Sequence, residues 1–330
     1  MGSTLGDGTG RSRGREPTTE RISPPQAKRN SMTKRDVSLP DEAEAGMREF
    51  IDEVDRRLSS EEDTCSVVED VLIDLSGDRE AYERWKGGES MTPAEQVRLQ
   101  SYDPCNTTLE SEYYAEKDEE QFRHSKHIQW LWRQFDSLPI ADNVEFALRF
   151  RRMLADHLFE ECGENCRFFK GVTFTYGHNI TIGDNTVVHD DVHLDDRGKL
   201  TIGDRVSISD GVHVYSHDHD VVDQTEVRNY HTIVEDDVRL TYDSMVQAGN
   251  RVGENAIVGA RGVVQHDIPA HHIAVGMPAK SVKIKPGWED VATPIDEAGV
   301  NRQQQRHLEY DLPDDLEVFD EFQRDLRPPR

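Results

Sequence analysis

Apolar residues recur every six positions through the second half of the chain. This period matches neither the turn of an α-helix, about 3.6 residues, nor the simple alternation of a single strand. It is typical of a parallel β-helix, in which each six-residue unit forms one flat side of a coil and its inward anchor stacks on equivalent anchors. The pattern predicts a β-solenoid over residues 172–285. The twelve anchors are Ile182, Val188, Leu194, Ile202, Ile208, Val214, Val234, Leu240, Val246, Val252, Val258 and Val264.

The longest break in this repeat lies between Val214 and Val234. The segment YSHDHDVVDQTEVRNYHTI does not keep the six-residue period, and histidines concentrate in it. A solenoid places such insertions outside the coil, usually at the binding face. We therefore expect this segment to carry the function.

Helical spacing precedes the solenoid. Residues 41–90 predict a helical extension, with a first helix carried by apolar positions three and four apart and a second helix that ends at Gly87–Gly88. Residues 91–171 predict a helical leader, which opens with Thr92 as an N-cap and Pro93 in the first helical position. The apolar positions of the first helix are Met47, Phe50, Ile51, Val54 and Leu58.

The two ends of the chain lack apolar periodicity. Residues 1–40 are rich in Gly, Ser, Arg, Thr and Pro and predict a disordered tail. Residues 286–330 predict an acidic C-terminal tail that wraps a neighbour or stays disordered. Neither segment indicates any chemistry.

The net charge of −26 comes from 65 acidic and 39 basic residues. Nucleic acids and anionic membranes need a basic surface, so the charge disfavours both as partners. Combined with strict apolar periodicity, it indicates a folded protein with a hydrated acidic surface, as in salt-adapted, halophilic organisms. No apolar run reaches the length of a membrane span, and the first segment lacks the apolar stretch of a secretory signal. We therefore expect a cytoplasmic protein.

Four cysteines are too few for a disulfide framework in a chain of 330 residues. Cys162 and Cys166 are spaced like a metal clip, but no second pair lies at ligand spacing. The sequence therefore predicts buried free thiols, including Cys65 and Cys105, and no metal site.

Three strings resemble the maltose and galactoside O-acetyltransferase family of hexapeptide-repeat acyltransferases. They are MTPAEQVRLQSYDPCN in the leader, GENC…YGHNITIGDN at the entry to the coils, and IVGARGVVQHDIPAHHIAVGMPAKSVKI at their end. The resemblance covers about residues 91–285. It implies a left-handed parallel β-helix preceded by an α-helical leader, a mainly β fold. It further implies acetyl-CoA as acyl donor and a homotrimer with active sites between subunits.

Transfer of an acetyl group to a hydroxyl requires a base, because a hydroxyl is hardly ionised at neutral pH. A positioned imidazole suits this task since its pKa lies near the operating pH. The resemblance assigns the general base to His219, with His217 as the reserve because loop alignments slip easily. Asp220 replaces the proline that often follows this histidine in close relatives.

Binding residues are assigned by the same resemblance. The four acceptor-binding positions are Asp103, Thr175, His189 and Asp196. His189 replaces the asparagine that is usual in the family. For Asp103, a turn residue before Pro104 is the alternative interpretation. The five cofactor-binding positions are Tyr242, Ala260, Gly262, Lys280 and Lys283. The lysines supply cations for the phosphates of coenzyme A, and the small residues allow the pantetheine arm to approach the backbone.

Three alternatives remain open. The acceptor could be serine, an antibiotic or a cell-surface glycan instead of a sugar, although the helical leader favours the sugar group. A trimeric metal-dependent protein of the carbonic anhydrase type would use histidines such as His189, His213, His217 and His219, but would leave the coenzyme A end signature unexplained. A non-catalytic scaffold is the third, since solenoids readily become binding surfaces.

Overall fold

The computed structural model describes residues 37–223, 225–299, 303–310 and 312. Most of the predicted N-terminal tail and the end of the acidic tail lie outside these residues. The chain divides into two compact units at Asp41–Glu42, and the solenoid belongs to the second unit. In the described part, no helix is both long enough and apolar enough to cross a membrane.

Six α-helices precede the solenoid in the part of the chain that the structure describes. They are α1 (Asp41–Leu58), α2 (Thr64–Ser76), α3 (Arg79–Lys86), α4 (Pro93–Gln100), α5 (Glu119–Asp136) and α6 (Val144–Leu158).

Capping residues set the limits of these helices. The Asp63 side chain accepts a hydrogen bond from Ser66 N at the start of α2, and Gly77 ends that helix in the left-handed conformation. The predicted end of the second helix at Gly87–Gly88 is wrong, because Gly77 separates α2 from the short α3. Thr92 caps α4 through a capping box with Glu95, as its sequence position predicts.

Short strands build the solenoid. They are β1 (Glu161–Cys162), β2 (Arg167–Phe168), β3 (Thr173–Phe174), β4 (Ile180–Ile182), β5 (Val187–Val188), β6 (His193–Leu194), β7 (Lys199–Ile202), β8 (Ser207–Ile208), β9 (His213–Val214), β10 (His217–His219), β11 (Val227–Val234), β12 (Arg239–Leu240), β13 (Met245–Val246), β14 (Arg251–Val252), β15 (Ile257–Val258), β16 (Val263–Val264), β17 (His272–Val275), β18 (Lys280–Ile284) and β19 (His307–Leu308).

These strands form three sheets that are the sides of the coil. The first sheet has the order β1-β4-β7-β11, with β10, β14 and β19 also joined to β11. The second runs β18-β17-β15-β12-β8-β5-β2 and the third β16-β13-β9-β6-β3. Successive coils pair in parallel, as in Ile182 with Ile202 and Val188 with Ile208. The predicted class, a parallel β-helix after an α-helical leader, is confirmed.

The predicted anchors form the core of this solenoid. Each of the twelve is no more than 1 % exposed. Every anchor lies in register with the anchor one coil away, so each sheet contributes one inward row. Burial of aliphatic side chains in such rows stabilises neighbouring coils by about 1.5–3 kcal/mol per residue. The first strands begin at Glu161, ahead of the predicted start at residue 172.

A ladder of aspartates joins the coils on their outer side. Asp184 N donates to Asp204 Oδ1 over 2.8 Å, and Asp204 N donates to Asp236 Oδ1 over 2.9 Å. Gly203 precedes Asp204 and lies against the next coil, where a Cβ atom would meet the Asp236 carboxylate and would stand 2.7 Å from Asp236 N. Only glycine therefore fits this position without moving the backbone.

We expect Gly203→Ala to lower the free energy of unfolding by about 1–3 kcal/mol, because the added methyl group pushes two coils apart. Urea denaturation followed by circular dichroism measures the change. The matched control is Gly46→Ala in α1, where a Cβ would meet nothing within 4 Å. That control should stabilise the helix by up to about 1 kcal/mol. Equal midpoints for the two variants would contradict the steric argument.

Candidate active site

Extra residues accumulate at one corner of the solenoid, between the third sheet and the first. Ile202 follows its partner Ile182 by 20 positions, whereas Val252 follows its partner Val234 by 18. The additional residues of the earlier coils lie at residues 175–179 and 195–198. The long break, residues 215–230, leaves the next coil at the same corner. We call these three segments the insertion corner.

The long break folds as a β-hairpin. Strand β10 pairs antiparallel with β11, His217 opposite Asn229 and His219 opposite Val227, and β11 then rejoins the first sheet beside β7. Strand β19 also pairs antiparallel with β11, so His307 and Leu308 of the C-terminal tail pack on the hairpin of their own chain.

Asp195 lies at the centre of the insertion corner and holds His217. His217 Nδ1 lies 2.6 Å from Asp195 Oδ2. The same carboxylate accepts hydrogen bonds from Thr175 Oγ1 over 2.7 Å and from Ser216 N over 3.1 Å. Burial alone would raise the pKa of Asp195, but the hydrogen bonds from His217, Thr175 and Ser216 outweigh burial and lower this pKa to about 2. The group is therefore a carboxylate at neutral pH.

The two candidate bases differ in their surroundings. The His217 side chain is 22 % exposed and fixed by the buried Asp195. His219 lies two residues further along β10, is exposed, and packs its ring edge-on to that of His217 with 5.6 Å between centroids. The alternation of a β-strand explains how both rings lie on the same side of β10. Of the two, His217 has the geometry of a supported base.

Asp196 is fully buried and faces backbone amides. Its carboxylate accepts from Thr175 N over 3.0 Å and Tyr176 N over 2.7 Å. Burial raises the pKa of Asp196 to about 7, against the opposing effect of these amides. The carboxylate of Asp196 thus shapes the corner, and its predicted contact with an acceptor stays a prediction. Thr175 lies in the corner as predicted, with its hydroxyl committed to Asp195.

The helical leader reaches the corner through Glu116. Arg197 is 6 % exposed and pairs with the Glu116 carboxylate at 2.6 Å. Its guanidinium also lies 4.0 Å from the ring centroid of Tyr114. Asp103 accepts a hydrogen bond from Cys105 N and caps the turn after it, and its predicted contact with an acceptor stays a prediction.

The other predicted positions lie at a second corner, between the second sheet and the third. His189 directly follows β5 and stacks on Phe169, with 4.9 Å between ring centroids. Tyr242 and Ala260 occupy the same corner in later coils, where Arg261 N donates to Tyr242 O over 2.9 Å. Gly262 closes this turn and is buried.

Lys280 and Lys283 lie on β18, an edge strand that pairs antiparallel with β17 of the second sheet. Both side chains are exposed. A bound anion could therefore reach them directly. Their sheet leads into the second corner, so the predicted cofactor residues share one region of the surface.

Asp195 was missed by sequence reasoning, although a signal was present. The anchors Leu194 and Ile202 are eight residues apart instead of six. Two extra residues must leave the coil there, and Asp195 directly follows the anchor. The same eight-residue step separates the buried Phe174 from Ile182. Steps of eight therefore identify the insertion corner, but not which side chain turns toward His217.

The cysteines differ from expectation. Cys65 and Cys105 form a disulfide, with 6.2 Å between their Cα atoms, so the prediction of free thiols is wrong for this pair. Cys162 and Cys166 are free. Within the described residues, the group of three side chains placed to hold a metal consists of Cys65, Cys105 and His127.

Comparison with known proteins finds relatives by sequence. The chain is 30% identical over 154 residues to "Putative colanic acid biosynthesis acetyltransferase WcaF" of Escherichia coli K12, which covers 46% of this chain and 85% of that protein. No family model matches the sequence.

Two solved structures are also similar. A maltose O-acetyltransferase from Clostridium difficile 630 aligns with a TM-score of 0.45 and 25% identity, covering 52% of this chain and 91% of that one. A galactoside acetyltransferase in complex with coenzyme A aligns with a TM-score of 0.45 and 25% identity, over 55% of this chain and 88% of that one.

Proposed function

We propose that this chain, which belongs to the hexapeptide-repeat acetyltransferase family, transfers an acetyl group from acetyl-CoA to a hydroxyl of a sugar or related acceptor. The observation that carries the proposal is the pairing of His217 with the buried carboxylate of Asp195. This pair lies at the insertion corner, which contains the segment where the sequence predicts the catalytic residue.

The pairing supports Nε2 of His217 as the atom that acts as the base. An ionised carboxylate only accepts hydrogen bonds, so Nδ1 must carry the proton that it shares with Asp195. The lone pair of the neutral ring is then on Nε2, which takes the proton from the acceptor hydroxyl as the oxygen attacks the thioester carbonyl. The Asp195 charge stabilises the imidazolium that forms. The imidazolium then gives this proton to the departing sulfur, so coenzyme A leaves as the thiol and His217 returns to its neutral form. The thioester is already activated, so no protein nucleophile is needed.

The location of the residues supports a site shared between subunits. His217 and Asp195 lie at the insertion corner, whereas His189, Tyr242 and Ala260 lie at the second corner. The third sheet separates the two corners within one chain. We infer that residues from both corners meet between neighbouring chains, as in the homotrimer that the family resemblance implies. Light scattering in high salt would give the mass of the assembly.

The helical leader indicates the class of acceptor. The leader contributes Glu116 and Tyr114 beside Arg197, which is consistent with a leader that closes over the acceptor. The maltose and galactoside branch, favoured by the leader, suggests a sugar. Serine, antibiotics and cell-surface glycans are the alternatives.

The test is release of free thiol from acetyl-CoA, measured against a panel of sugars, serine and chloramphenicol in high salt. We expect release that depends on a hydroxyl acceptor and is strongest with a sugar. Release with serine or chloramphenicol alone would change the acceptor class. An absence of release with every acceptor, from a folded oligomer, would contradict the proposed reaction.

We expect Asp195→Asn to lower kcat by about 10- to 100-fold. The amide can still hold the ring, but it removes the charge that stabilises protonated His217, and a charged hydrogen bond contributes about 1.5–3 kcal/mol. Asp204→Asn is the matched control, because it makes the same change in the aspartate ladder, where the carboxylate accepts from Asp184 N and does not contact His217, and its kcat should stay near the wild-type value. Wild-type kcat in Asp195→Asn would exclude a role for this carboxylate.

A further inference from the structure

A compact group of soft ligands lies in the helical leader, away from the insertion corner in sequence. Cys65 is the second residue of α2, Cys105 belongs to the turn Pro104–Asn106, and His127 lies in α5. Their ligand atoms all lie within 4.8 Å of one another. Three separate segments of the chain therefore converge on one point.

We propose that, when the Cys65–Cys105 disulfide is reduced, these two thiolates and His127 bind a zinc ion. Zinc prefers thiolate and imidazole ligands in tetrahedral geometry. The proposal concerns a structural site in the leader. It is separate from the acetyl transfer, for which the sequence predicts no metal.

The distances around His127 fit such an ion. Zinc–sulfur bonds of about 2.3 Å and zinc–nitrogen bonds of about 2.0–2.1 Å place sulfur and nitrogen ligands about 3.6 Å apart in a tetrahedron. His127 Nε2 lies 3.3 Å from Cys65 Sγ and 3.8 Å from Cys105 Sγ. The nitrogen therefore needs almost no movement, and only the two sulfurs must separate.

The surroundings leave room for a fourth ligand and for entry. The three residues line a cavity of about 460 Å³, together with Asp63, Glu112 and Glu119. Cys65 is buried while Cys105 is exposed, so one ligand is accessible from solvent. A water molecule in the cavity would complete four-coordination. Lys117, Arg123 and Lys126 line the same cavity and balance its three carboxylates, so the attraction for a metal ion comes from the two thiolates themselves.

Disulfide and metal are mutually exclusive at this site. Zinc binds thiolates, so each cysteine must first be a free thiol and then release its proton to solvent as the metal binds. A phosphine such as tris(2-carboxyethyl)phosphine supplies the two electrons that reduce the disulfide, and with one water yields two thiols and the phosphine oxide. With the disulfide formed, His127 is the member of this group of three that can still bind a metal.

A metal ion at this site would connect two separate parts of the helical leader. The chain between Cys105 and α5 carries Glu112, which pairs with Lys126 of α5 at 2.7 Å, and Glu116, which pairs with Arg197. A metal at Cys105 and His127 would fasten both ends of this segment. We therefore expect metal binding to raise the melting temperature, since a ligand that binds only the folded state stabilises it.

The experiment titrates the full-length chain, reduced with the phosphine under argon, with Zn²⁺ by calorimetry and with Co²⁺ by absorption spectroscopy. We expect one equivalent of metal per chain, a thiolate-to-cobalt charge-transfer band, and a higher melting temperature with Zn²⁺ than with Mg²⁺. The untreated, disulfide-bonded chain should bind at least about 100-fold more weakly. The same loss is expected for Cys105→Ser and for His127→Gln.

The matched control is the double variant Cys162→Ser/Cys166→Ser, which removes the two free thiols and should keep both the stoichiometry and the cobalt band. Circular dichroism establishes that each variant is folded, and the exposed Cys105 makes its variant the less disruptive test. Failure of the reduced wild-type chain to bind Zn²⁺ would overturn the proposal. So would a cobalt band that disappears in the control and persists in His127→Gln.

Discussion

We expect His217→Ala to lower kcat by about 10²–10⁴-fold, the range that general base catalysis contributes. The acceptor hydroxyl would then have to lose its proton to water, which is a weak base and is not positioned by Asp195. KM for acetyl-CoA should change little, because in the proposed reaction the imidazole acts on the acceptor hydroxyl. Thiol release under saturating donor and acceptor measures the effect.

His219→Ala is the control that separates the two histidines. It removes an imidazole from the same strand, but not the one that pairs with Asp195. We expect its kcat to fall by less than tenfold. A large loss in His219→Ala with near wild-type kcat in His217→Ala would return the base to His219, the first choice of the sequence resemblance. Near wild-type activity in both would contradict a base in this hairpin.

We expect Trp132→Ala to lower the free energy of unfolding by about 3–5 kcal/mol, the range for removing a buried Trp or Phe side chain. Trp132 of α5 is fully buried and joins the leader to the first coils. Its ring lies 5.7 Å from that of Phe168 and 5.4 Å from that of Phe174, edge-on in both cases. Its Nε1 donates to Val172 O over 3.1 Å. Urea denaturation measures the loss.

Trp288→Ala is the control for Trp132. Trp288 is 41 % exposed and stacks on His271 near the end of the solenoid. Its removal should cost less than about 1.5 kcal/mol. If the two tryptophan variants unfold at the same urea concentration, the leader is not held on the coils by the Trp132 cluster.

The solenoid could be read from the sequence because its core is periodic. Every anchor from Ile182 to Val264 points into the coil for the same local reason, so the six-residue pattern reports burial without knowledge of distant contacts. The caps of the leader are equally local: Thr92 and Glu95 are three residues apart. The same kind of local information identified the hairpin segment as the exception to the repeat.

The choice of residues within the site depended on the tertiary structure. Asp195 and His217 are 22 positions apart, and they meet only because extra residues leave successive coils at the same corner. Glu116 reaches Arg197 across 81 positions, and Cys65 reaches Cys105 across 40. A one-residue shift along β10 would turn the side chain of His217 away from Asp195, because successive side chains of a strand point to opposite faces. The six-residue period of the sequence thus determined the fold. The tertiary structure decided which carboxylate pairs with which histidine at the insertion corner, because that contact depends on the register between coils and on no local pattern.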